Sequence, residues 1–137
     1  INLFIIRKKG LKTKIINNVI SKIKKEFEIL DDIFITINNN KKFYKKFYYN
    51  FDKYKENILD SNDNQCLAII TILPDNKNPN SLKEIIRSEY LDYYPPKGNI
   101  IHSSDSHEDC EKELELLLNE NIGNLKNIGN YYSFLEV

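Results

Sequence analysis

The sequence predicts an α+β fold, a ferredoxin-like βαββαβ sandwich with helices on one face of a small antiparallel sheet. Three observations predict it. Short apolar runs of strand length alternate along the chain with segments whose apolar residues recur at helical spacing. The order is strand, helix, strand, short helices, strand, helix, short strand, helix, which suits a layer of helices packed on antiparallel strands. The 137 residues carry no repeat, low-complexity linker or second apolar core, so one compact domain over residues 1–137 is expected.

Asn2 to Arg7 is apolar over the length of a strand, and Gly10, behind Arg7-Lys8-Lys9, permits a sharp exit. Thr13 can cap the helix that follows, in which Ile15, Ile16, Val19, Ile20 and Ile23 form one face and lysines cover the other. Phe27 to Ile37 is rich in β-branched and aromatic residues, with Ile33, Ile35 and Ile37 alternating, and reads as a second strand with Asp31-Asp32 at a bend or bulge. From Lys41 to Asn57 lysines interleave with aromatics. Phe43, Phe47, Phe51 and Tyr54 fall at helical spacing, which favours a core-facing helix over a surface that stacks single-stranded nucleic acid.

Cys66 to Leu73 is a continuous apolar run ending at Pro74, consistent with a central strand. A polar loop, Asp75 to Asn80, leads into a helix from Ser81 to Arg87 with Ser81 as its cap. Tyr93 to Gly98 is a rigid turn in which the tyrosines pack the Pro95-Pro96 pair. Asn99 to His102 is short and apolar before the histidine. Ser106 looks like the cap of a last helix, with Glu108, Asp109 and Glu111 set favourably against its dipole and an apolar face of Cys110, Leu114, Leu117 and Leu118.

Acidic and basic residues are equal in number, 20 each, so the overall field gives no reason to expect nucleic acid or an anionic membrane as the partner. Any anion site must be local. Cys66 and Cys110 stand far apart without metal-type spacing and read as two reduced thiols of a cytoplasmic protein. Leu3 to Ile6 is too short to span a bilayer, so neither export nor membrane insertion is expected.

The densest polar cluster is His102-Ser103-Ser104-Asp105-Ser106-His107-Glu108-Asp109, between an apolar strand and a helix start. Such a junction offers unpaired backbone N–H groups and a positive dipole end to an anion such as phosphate. A histidine beside it can act as base, metal ligand or nucleophile. His107 reads as a solvent-facing first-turn residue, and the Lys24-Lys25 and Lys41-Lys42 pairs as solvated faces.

The run Asn99-Ile100-Ile101-His102-Ser103-Ser104-Asp105-Ser106, followed by Glu111-Lys112-Glu113, resembles the signature of nucleoside diphosphate kinases. That signature reads Asn-Ile-Ile-His-Gly-Ser-Asp-Ser and then Glu-Lys-Glu. The resemblance extends more loosely over the whole chain through the succession of strands and helices. It implies that His102 is the nucleophile, that Ser104 hydrogen-bonds near it and that Glu113 orients the imidazole. It further implies that Asn99 contacts the nucleotide sugar, that Arg87 holds phosphates and that Tyr48 lies near the histidine. The implied reaction is ping-pong: a nucleoside triphosphate gives its terminal phosphoryl to His102, and a diphosphate takes it back, with Mg²⁺ carried on the nucleotide phosphates and no metal held by the protein alone. A homo-oligomer is the implied assembly.

The chain also departs from that family. Its first strand ends in Arg7-Lys8-Lys9-Gly10 where the family has Lys-Pro-Asp-Gly, so that Arg7 is the residue left to reach a phosphate or sugar oxygen. The stretch Thr71 to Pro79 is shorter by about one helix, which in the family supplies a second phosphate-holding arginine, and Lys77 stands near the place of a phosphate-touching threonine. Asn57 to Asn64 offers no aromatic platform for a base, and Ser103 replaces a glycine. Three readings follow: a working nucleoside diphosphate kinase, a phosphohistidine transferase of the same fold with another acceptor, and an inactive nucleotide-binding or scaffold module.

Overall fold

The computed structural model describes residues 1–47, 63–93, 98–120, 122–126 and 135. Five strands, β1 (Asn2–Arg7), β2 (Ile29–Thr36), β3 (Gln65–Thr71), β4 (Ile101–Ser103) and β5 (Ile122–Lys126), form one sheet in the order β4-β1-β3-β2-β5. Every pairing is antiparallel. The helices among the described residues are α1 (Thr13–Glu26), α2 (Asn40–Phe47), α3 (Pro79–Glu89) and α4 (His107–Glu120), with a 3₁₀ turn at Lys8–Gly10. This is the expected α+β class, and β4-β1-β3-β2 is the order that a ferredoxin-like βαββαβ chain produces, with β5 added at the β2 edge.

The helices do not lie on one face alone. Alternation sends Phe4 and Ile6 of β1 into a core with Ile16, Val19 and Ile23 of α1 and Leu82 and Ile86 of α3. Leu3 and Ile5 enter a second core with Phe43, Tyr44 and Phe47 of α2 and Cys110 and Leu117 of α4. The cause is visible in the sequence: β1 and β3 are apolar at consecutive positions, so both faces need cover. Burying both aliphatic sets contributes on the order of 2 kcal/mol for each full side chain.

Local chemistry fixes most boundaries. In β2 the register shifts between Ile29 and Asp31, so the irregularity falls on Leu30, one residue before the anticipated Asp31-Asp32, and leaves that side chain exposed. Helix α1 begins at Thr13 itself, with Lys12 in the cap position and no side-chain cap bond. Helix α3 starts two residues earlier than Ser81 suggested, because Asn78 accepts the Asn80 N–H at 3.0 Å and Pro79 fits the first helical position. Ser106 does cap α4, accepting the Asp109 N–H at 3.1 Å.

The strand β5 had no clear sequence signal, since Gly123 and Asn124 are poor strand formers. The second half of the aromatic segment, residues 48–57, lies outside the described residues. Among the described residues no helix is long and apolar enough to cross a membrane.

Candidate functional site

Strand β4 is short and lies at the sheet edge, where its register sets the candidate histidine. His102 stands opposite Ile5 of β1, so its ring shares the face occupied by α2 and α4. The preceding turn depends on Gly98, at φ +63°, where a Cβ would run into the carbonyl oxygens of Arg87 and Tyr90 at the end of α3. Only glycine lets the chain pass so close to that helix and still enter β4.

Helix α4 brings Glu113 back over the strand. His102 Nε2 and Glu113 Oε1 are 2.6 Å apart, with the two side chains only 15% and 13% exposed. A carboxylate on Nε2 fixes the tautomer of a neutral ring with its proton on Nε2 and its lone pair on Nδ1. Phe47 of α2 meets the same ring edge-on, with centroids 5.3 Å apart, and braces its tilt. The second oxygen, Glu113 Oε2, is buried and has no hydrogen-bond partner among the described residues.

Arg87 reaches β4 from α3. Its Nε donates to the Ile101 carbonyl at 3.0 Å, one residue before the histidine, and its Nη1 lies 3.6 Å from Glu84 Oε1. Lys83, one turn earlier on the same side of α3, lies 3.8 Å from that same oxygen. Burial and the neighbouring Arg87 push its ammonium below the usual lysine range, against the pull of Glu84 and Asp105. The sequence reading did not single out Lys83, although its four-residue spacing from Arg87 was the signal that could have found it.

Other expected contacts are arranged differently. Ser104 is buried: its hydroxyl donates to Asn2 Oδ1 at 2.9 Å and accepts the Leu3 N–H at 3.2 Å, clipping the end of β4 to the start of β1. Arg7 is only 2% exposed and turned inward, where its guanidinium holds the buried Asp63 carboxylate and donates to the Asn99 carbonyl at 3.2 Å. A side chain so committed is not available to a phosphate or sugar oxygen.

Burial pushes the Asp63 carboxyl up, while Arg7 and the Tyr44 hydroxyl, 3.3 Å away, pull it down. Nothing in the sequence marked Asp63, which comes 56 residues after its partner.

Asn99 thus holds Arg7 through its main chain, and its side-chain Oδ1 is buried without a partner among the described residues. Lys77 pairs with Glu26 of α1 at 3.7 Å, on the core face opposite to the His102 ring. Tyr48 and Tyr94 lie outside the described residues. His107 is exposed and pairs with Glu111 at 3.1 Å. Cys66 and Cys110 are free and buried, and burial holds the Cys66 thiol far above its ordinary range, which keeps it protonated and unreactive. Among the described residues no three His, Cys, Asp or Glu side chains cluster to hold a metal ion.

Neither a family model nor any curated protein sequence matches the chain. Solved structures do. The chain is similar to the nucleoside diphosphate kinase of Aquifex aeolicus, with 21% identity, a TM-score of 0.54, and 88% of this chain and 97% of that chain covered. It is similar also to a nucleoside diphosphate kinase family protein from Babesia bovis, with 13% identity, a TM-score of 0.56, and 96% and 97% covered. At these identities the likeness establishes the fold, over nearly the whole length of both chains.

Proposed function

We propose, for a chain that has the nucleoside diphosphate kinase fold, that it transfers a phosphoryl group from a nucleoside triphosphate to a nucleoside diphosphate through a phosphohistidine at His102. The observation that carries this reading is the half-buried His102–Glu113 pair at 2.6 Å, on an edge strand that runs into a capped helix start. With its proton on Nε2, the ring attacks through the Nδ1 lone pair. A bond forms from Nδ1 to the γ-phosphorus, and the bond from that phosphorus to the β–γ bridging oxygen breaks.

The diphosphate leaves with the electron pair, and the ring becomes a phosphorylated imidazolium whose Nε2–H faces the Glu113 carboxylate. The carboxylate stabilises that charge without taking the proton. The reverse sequence on a second diphosphate completes the cycle. Asn99 is the proposed contact to the sugar, through a side-chain oxygen with no donor among the described residues, and Arg87 the proposed contact to phosphate.

Mg²⁺ would be carried on the nucleotide phosphates, where it would neutralise charge. The reading carries with it a cytoplasmic setting and a symmetric homo-oligomer.

Two observations favour a variant of the reading in which the acceptor is another phosphate-accepting metabolite. Arg7 is buried against Asp63, and Lys77 lies beside Glu26 at the surface, so two candidate nucleotide contacts have partners within the protein. An exchange assay separates the variants. Labelled ATP with unlabelled diphosphates of each base should yield labelled triphosphates and parallel double-reciprocal plots. Phosphoryl loading that no diphosphate discharges would select the other acceptor, and a protein that exchanges nothing and is never loaded would contradict both.

A further inference from the structure

We infer that Lys83 is a second phosphate-holding cation beside Arg87, and that the Glu84 carboxylate between them is the counter-ion that a nucleotide phosphate displaces. This rests on the phosphotransferase reading above and names how that site grips its substrate.

One oxygen, Glu84 Oε1, lies 3.8 Å from Lys83 Nζ and 3.6 Å from Arg87 Nη1. Two cations thus converge on the position of one anionic oxygen, the arrangement a phosphate oxygen requires. The exposures are unequal: Lys83 is 15% and Arg87 19% exposed, whereas Glu84 is 66% exposed. The cations are built into the protein and the carboxylate reaches in from solvent, where it is easily exchanged.

Withdrawing an ammonium from water beside a guanidinium is unfavourable, and an apolar side chain would fill the same volume without that cost. Such a cation is explained by an anion that it waits for. The location agrees, because Arg87 Nε is tied to the carbonyl of Ile101, adjacent to His102. Asp105, in the turn after β4, also acts on Lys83, which puts the ammonium within electrostatic reach of the histidine segment. Lys77 is placed elsewhere, 3.7 Å from Glu26 of α1.

The test is calorimetric titration of the full chain with MgADP and with inorganic pyrophosphate, at fixed ionic strength. Lys83→Met, which keeps the apolar stem, should weaken both affinities by about tenfold or more. Glu84→Gln should tighten both by roughly threefold, because it removes the competing charge. Lys24→Met, at an exposed position of α1, controls for net charge and should change neither.

A Lys83→Met protein that binds as tightly as Lys24→Met, or a Glu84→Gln protein with unaltered affinities, overturns the inference. If Lys83→Met does not fold, Glu84→Gln alone decides. Should the wild-type chain bind neither probe, the phosphotransferase reading falls together with this one. If the wild type binds and is phosphorylated on His102 but the variants behave like wild type, only the role of Lys83 and Glu84 falls.

Discussion

His102 and Glu113 are held 2.6 Å apart and half-buried, so the carboxylate serves the ring most when the ring carries charge. Glu113→Gln keeps the size and the fold but loses that stabilisation, and phosphoryl transfer should slow by roughly a hundredfold. Steady-state kinetics beside a circular dichroism spectrum will check it, and an unchanged rate would deny Glu113 its role. A different kind of residue pair is Arg7 with Asp63. Removing either partner strands a buried charge, so Asp63→Asn or Arg7→Met should each cost about 3–5 kcal/mol, while the double replacement Arg7→Met with Asp63→Asn should cost much less than the sum. Urea unfolding of the four proteins measures the coupling. The pairing of His102 with Glu113 was legible in the sequence through the resemblance of the Asn99 to Glu113 stretch to a family signature, with helical register letting Glu113 reach back from α4. Ser104 and Arg7 were not, since residue type alone does not say whether a hydroxyl or guanidinium turns toward a ligand or toward Asn2 and Asp63.

Each element adds a constraint that places these side chains. Gly98 lets the chain brush the end of α3 and turn into β4, so Gly98→Ala should cost about 1–3 kcal/mol through its positive φ alone and should lower stability and transfer rate together. A variant of normal melting temperature and normal rate would show that the turn is not needed to aim β4. Between α1 and α3, Lys22 and Asn18 both reach Glu89, and the hydrogen bond from Lys22 is the main cause that holds its carboxyl below the usual range near 4.5. A depressed carboxylate stabilises the fold above its unfolded value and loses that contribution as the pH falls through its folded value. The stability gap between wild type and Glu89→Gln should therefore be present at pH 6 and narrow below about pH 4.5, by a few tenths of a kcal/mol because the pair is largely solvated. Chemical denaturation at both pH values gives the comparison. Caps were read with mixed success: Ser106 fulfilled its pattern, whereas Asn78-Pro79 outcompeted Ser81, because an asparagine ahead of a proline both caps and pre-sets the first turn.

For the molecule as a whole, the succession of elements along the chain and the class were legible because long apolar runs and helical periodicities are strong signals. The two-sided cover and β5 were not drawn from them. Consecutive apolar residues in β1 and β3 did carry the message that both faces are buried, while Gly123 and Asn124 concealed a strand that pairs with β2. The architecture sets α3 and α4 on opposite faces of the sheet, with β4 between them at its edge, so that Arg87 reaches the Ile101 carbonyl from one side and Glu113 the His102 ring from the other. The decisive measurement is to expose the purified protein to γ-labelled ATP and Mg²⁺ and to map the label by peptide sequencing, with His102→Ala as control. The expected result is one acid-labile, alkali-stable phosphoryl group on His102 that is absent from the variant. Label on another residue, or a wild-type protein that binds the nucleotide and takes up no label, would contradict a phosphohistidine at this site.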